Sequence, residues 1–136
     1  MRAFSILLRA IAPLVVLVGG LHLILGLGAD ALLGAKISSA VMADPALDSQ
    51  NRFYGVSFML YGVLLFLCST NIPKYATVLR CVLWVFFAAG LARFVSLAAR
   101  GVPPWPVLLL FLLELLAPPL MLWGLARVLK SAPKMR

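Results

Sequence analysis

Apolar side chains run almost unbroken through four stretches, Ile6–Leu27, Phe53–Cys68, Val78–Ala98 and Val107–Leu125, and polar residues collect between them. About 20 apolar residues, rising about 1.5 Å each, carry a helix across the hydrocarbon layer of a bilayer. The pattern therefore predicts four membrane-spanning helices. With their polar ends included they cover roughly residues 6–27, 45–69, 76–99 and 106–129. Spans that alternate in direction give an all-α, antiparallel four-helix bundle with both termini on one side. They fill residues 1–136 as a single transmembrane domain and leave no room for a separate soluble one.

Local signals punctuate these spans. Pro13 removes one backbone donor from the first helix and predicts a bend there. Gly19, His22 and Gly26 are three and four apart and share a face that small residues let a neighbour approach. Residues 29–43 form the longest connection, read equally well as a short amphipathic interfacial helix or as an irregular loop. Asp44-Pro45 is a helix start, a side-chain cap followed by proline at the first helical position. The second helix thus opens before its apolar part. Asp48 and Arg52 pair four residues apart, while Asn51, Gly55, Phe58 and Gly62 form a packing stripe beside Tyr54, Ser57 and Tyr61. Asn71-Ile72-Pro73 and Gly101-Val102-Pro103-Pro104 are turns. Trp105 reads as an interfacial anchor, and Trp84 and Trp123 as packing or belt residues. Pro118 and Pro119, mid-helix, deprive the carbonyls of Glu114 and Leu115 of their donors and predict a kink.

Composition agrees and narrows the classes. The chain is 64% hydrophobic and 12% charged, too apolar for a water-soluble domain of its length. The formal net charge of +8 does not point to nucleic acid, because a nucleic-acid reader carries its basic face on a soluble module. Here Arg2, Arg9, Lys74, Arg80, Arg127, Lys130, Lys134 and Arg136 gather on one side of the membrane, and Lys36, Arg52, Arg93 and Arg100 fall toward the other. That bias places both termini in the cytoplasm of a bacterial inner membrane. All four acids, Asp30, Asp44, Asp48 and Glu114, then lie toward the outer side. Cys68 and Cys81 flank a turn on the reducing side and read as packing residues. Ala29-Asp30-Ala31 imitates a signal-peptide cleavage site, but the apolar run from Ile11 to Leu27 is long for a signal core, and a retained span is expected.

Ionisable groups inside membrane spans are candidate functional residues. His22, Arg93 and Glu114, from three different spans, each lie roughly 8–11 Å below the outer helix ends at the helical rise. Asp48, Asn51 and Arg52 fall just above them, Ser96 shares the face of Arg93, and Tyr61 descends along the second helix. These eight residues are the expected ligand-binding set, lining a polar cup open to the periplasm. The same residues admit a purely structural reading, since Arg52 and Arg93 balance Asp48 and Glu114 and polar contacts hold membrane helices together. A metal on His22, Glu114 and Asp48 has suitable ligand types and no sequence signature. A single histidine excludes bis-histidine haem within one chain, and no phosphate loop, nucleophile elbow or zinc motif occurs. No cofactor or metal is expected.

The segment Leu47-Asp48-Ser49-Gln50-Asn51-Arg52-Phe53-Tyr54-Gly55, with Gly20-Leu21-His22, Gly28-Ala29-Asp30, Gly90-Leu91-Ala92-Arg93 and Glu114 ahead of Pro118-Pro119, resembles a bacterial family of small four-helix membrane proteins of unknown function. The architecture is more distantly similar to the DoxX-type four-helix membrane proteins. The resemblance implies a fold and a compartment and supplies no substrate. Three functional expectations stand. The first is binding of a lipid- or quinone-like amphiphile in the cup. The second is a role as an accessory or oligomeric subunit, with a membrane-protein partner or further copies of the chain. The third is a membrane enzyme using His22 and Glu114 as an acid–base pair.

Overall fold

The computed structural model describes residues 1–130, in which six helices follow in order: α1 (Arg2–Leu25), α2 (Leu27–Leu32), α3 (Ser39–Met42), α4 (Pro45–Thr70), α5 (Ala76–Arg100) and α6 (Trp105–Lys130). The four long helices are the predicted spans, and no strand occurs among the described residues. Lys134 and Arg136 lie outside the described residues.

Each boundary has a local cause. α1 ends at Leu25, two residues before the expected limit, because Gly26 takes a φ of 55°. A side chain is disfavoured there. It would also have no room, because a Cβ on Gly26 would lie 1.8 Å from Asp48 Oδ1. The chain turns and α2 begins at once. The connection therefore combines both readings: two short helices joined by a turn and the irregular residues 35–38. Asp44 caps α4 as expected, accepting hydrogen bonds from the backbone N–H groups of Ala46 and Leu47 at 2.8 and 3.2 Å. Asn71 Oδ1 accepts from Lys74 N at 3.1 Å and closes the turn before α5. Gly101, at φ 90°, ends α5. α6 continues through both Pro118 and Pro119.

The helices approach where side chains are smallest. A Cβ on Gly19 would come within 2.6 Å of Gly55 O and Met59 N, and one on Gly55 within 2.6 Å of Leu23 N. Gly62 sits as tightly on Ala12, 2.8 Å from its carbonyl oxygen by the same measure. α1 and α4 are thus antiparallel, with backbone against backbone. α5 meets α6 through Gly90, where a Cβ would lie 3.0 Å from the carbonyl carbon of Glu114. Phe58 and Tyr61 join α4 to Phe86 of α5 by ring contacts of 5.8 and 5.5 Å between centroids. Phe4 against Gly124 joins α1 to α6.

The apolar core is confined to the end of the bundle that carries residues 1 and 130. Leu8, Leu65, Leu79, Leu83 and Leu125 are almost fully buried there, with Cys68 and Ile72. The opposite end, formed by residues 26–44 and 101–104, buries instead Ala29, Gly55, Gly90, Phe111 and the charged Glu114. We call these the terminal end and the loop end. Only 17–28% of each apolar span is buried, and Ile24, Val95 and Leu120 are each more than 60% exposed. Water does not tolerate such an exterior, whereas hydrocarbon does. Cys81, expected as a packing residue, is on this exterior, as are Trp84 and Trp123.

Candidate functional site

At the loop end the polar residues form two groups, one on α1 and α4 and one on α5 and α6. In the first, Arg52 is spent on structure. Its Nε and Nη2 donate to Asp48 at 2.7 and 3.3 Å, and its Nη1 donates to the carbonyls of Leu23 and Ile24 at 2.7 and 2.9 Å. Those carbonyls lie in the last turn of α1, where a helix has no internal donors left. Arg52 therefore caps α1 from α4 and uses four of its five N–H groups to do so. Asp48 holds the guanidinium in position and fills the space that Gly26 leaves.

His22 and Asn51 converge on a residue outside the expected set, Asp30 in α2. His22 Nδ1 lies 2.9 Å from Val18 O, and because a carbonyl only accepts, that nitrogen carries the proton. Nε2 then faces Asp30 Oδ1 at 3.5 Å, an ion pair when the ring is doubly protonated. Asn51 Nδ2 donates to the other Asp30 oxygen, while Asn51 Oδ1 is buried without a partner among the described residues. Asp30 was legible as an acid near the membrane surface. Its partners were not, because only the turn at Gly26 brings α2 back over α4.

In the second group Arg93 binds Glu114 through two parallel hydrogen bonds, Nε to Oε2 at 2.6 Å and Nη2 to Oε1 at 3.2 Å. This fork-on-carboxylate geometry is the strong form of an ion pair. Gly90 makes it possible, since it lies one turn before Arg93 and lets α5 close onto the backbone of Glu114. The two partners differ in environment: the Glu114 side chain is 8% exposed and that of Arg93 39%. Arg93 and Ser96 line a cavity of about 70 Å³ with Leu97, Pro103, Val107 and Phe111. Nη1 of Arg93 makes no hydrogen bond among the described residues, so this guanidinium, unlike that of Arg52, keeps free donors.

The eight expected residues are therefore distributed as follows. Asp48 and Arg52 pair across one turn of α4; His22 and Asn51 share Asp30; Arg93, Glu114 and Ser96 lie together on α5 and α6. Tyr61 is packed between Phe58 and Phe86 near the middle of the bundle. His22 and Glu114 are each engaged elsewhere, and no hydrogen bond or ion pair joins them among the described residues. No group of three or more metal-ligating side chains occurs among the described residues. The connection also reaches the turn between α5 and α6, since Gly34, at φ 92°, lies against Pro104.

Fold and exterior define a small multi-pass membrane protein with a polar layer at one end of its bundle. The family model described as Domain of unknown function (DUF4345) matches residues 3–125, and the chain belongs to that family. No curated protein and no solved structure matches it.

Proposed function

We propose that the chain binds a lipid- or quinone-like amphiphile beside Arg93, taking a head-group oxygen into the cavity while the tail stays in the bilayer. The reading rests on one observation, a membrane-embedded guanidinium with unused donors that lines a cavity. Arg93 and Glu114 neutralise each other, so the favoured head group is an uncharged acceptor such as a quinone or ester carbonyl. Ser96 adds a hydroxyl. A volume of about 70 Å³ is well below that of an ordinary small-molecule pocket, roughly 300–1,000 Å³, so only the reacting or recognised end of the ligand enters. Glu114 orients Arg93, and Asp48 and Arg52 hold the scaffold. The protein works in a bacterial inner membrane with both termini in the cytoplasm, a placement supported by the basic residues at the terminal end.

The test is binding of a short-chain quinone and of a lipid ester to the purified full chain in nanodiscs. Val107→Phe fills the cavity while keeping both partners of the ion pair and is expected to weaken the preferred ligand at least about tenfold, with Ser96→Ala a few-fold weaker. Equal binding by Val107→Phe and the unsubstituted chain, or no binding by either, defeats the proposal and leaves the accessory-subunit reading.

A further inference from the structure

The terminal end poses a different electrostatic problem. All four acids belong to the loop end, so among the described residues no side-chain carboxylate faces Arg2, Arg9, Lys74 or Arg80. Two of these cations do more than decorate a helix end. The first turns of α1 stand beside the turn between α4 and α5, and an open cavity of about 510 Å³ lies between them, lined by Arg2, Ser5, Arg9, Ser69 and Asn71 and by apolar side chains that include Ile6 and Ile72. Its volume falls in the range of small-molecule sites.

A hydrogen-bonded chain builds its wall. Ser5 Oγ donates to Ser69 O at 2.6 Å, Ser69 Oγ donates to Phe66 O at 2.5 Å, and Arg9 Nε donates to Ser69 Oγ at 3.4 Å. Ser69 is 3% exposed, so Arg9 Nε reaches a buried group, and its outer nitrogens donate no hydrogen bond among the described residues. Arg2, Ser5 and Arg9 are three and four residues apart and share one face of α1. Arg2 donates no hydrogen bond among the described residues. Asn71 uses its oxygen in the turn, which leaves its amide donors available. Guanidinium forks match phosphate oxygens in geometry as well as charge.

We infer that this cavity binds a phosphate-bearing anion between Arg2 and Arg9. Because it sits where all four spans end, it lies at head-group level, and the phosphodiester of an anionic lipid is one source of that chemistry; free phosphate is the other. The site is distinct from the one beside Arg93 in place, in volume and in the charge of its ligand.

Native mass spectrometry of the full chain, loaded with phosphatidylglycerol or phosphatidylcholine, reads the selectivity, and a thermal-shift titration with inorganic phosphate separates the two sources. One phosphatidylglycerol is expected to be retained, preferred over phosphatidylcholine about tenfold. Arg2→Gln and Arg9→Gln are each expected to lower that affinity about fivefold. Arg80→Gln removes the same charge from the same end away from the cavity, and is expected to stay within about twofold. Arg9→Gln also loses the Ser69 contact, whereas Arg2→Gln breaks no hydrogen bond and keeps the test independent of folding. Stabilisation by inorganic phosphate with the same variant pattern would assign the site to free phosphate. Absence of both selectivities, or an Arg80→Gln loss as large as that of Arg2→Gln, overturns the inference in favour of diffuse surface charge.

Discussion

Glycines whose missing side chains meet a neighbouring backbone set how closely the helices of this fold approach. Adding a methyl group at Gly55 pushes against Leu23 N and Gly19 O, which cannot rotate away as a side chain can. Gly55→Ala is expected to destabilise the detergent-solubilised protein by about 1–3 kcal/mol, the usual penalty of overpacking. Gly20, one residue from Gly19, has nothing within 4 Å of the position a methyl group would take. Gly20→Ala is expected to be neutral or to stabilise by up to about 1 kcal/mol through helix propensity. Matched thermal unfolding curves decide between these outcomes. Arg93 gives the sharpest charge test. Arg93→Ala strands the buried Glu114 and is expected to cost roughly 3 kcal/mol or more, whereas the double change Arg93→Leu with Glu114→Leu is expected to recover most of it. A double variant no more stable than Arg93→Ala would show that a stranded carboxylate is not the source of the loss.

Helix ends were more legible than helix contacts. Asp44-Pro45 announced the start of α4 because capping is a short-range interaction between adjacent residues, and Asp44→Ala is expected to lose about 1 kcal/mol in chemical denaturation. The pairing of Asp48 with Arg52 was equally local, one helical turn apart. The remaining bonds of Arg52 were not, since they run to carbonyls 28 and 29 residues away. The same distinction explains α2. Most of its residues were visible only as the start of a connection, helix or loop, because the reversal at Gly26 brings Asp48 into the space beside it from another helix. Arg52→Ala is therefore expected to loosen two elements, raising amide hydrogen exchange at the end of α1 and in α2 together. Exchange changes restricted to α4 would contradict that role.

Across the whole molecule, packing and polarity are divided between the ends. The aliphatic core holds the four helices together at the terminal end, while ion pairs and helix caps hold them at the loop end. The proposed orientation makes a definite prediction. Alkaline phosphatase inserted between residues 101 and 104 is expected to be active in a bacterial host, and the same reporter at the C-terminus inactive; the reverse pattern would invert the topology and place the phosphate site in the outer leaflet.

The number of spans, their positions and the unequal charge of the two ends followed from the chain alone, because hydrophobic transfer and capping depend on residue type and near neighbours. Which polar groups meet did not follow, because similar depth along parallel axes says nothing about direction around them. Tertiary packing chose Asp30 for His22 and Asn51, committed Arg52 to the end of α1, and left Arg93 with free donors. It made those choices where glycines at 19, 55 and 90 let backbones close to contact, a distance that fixes rotation as well as separation, and where Gly26 leaves room for the side chain of Asp48.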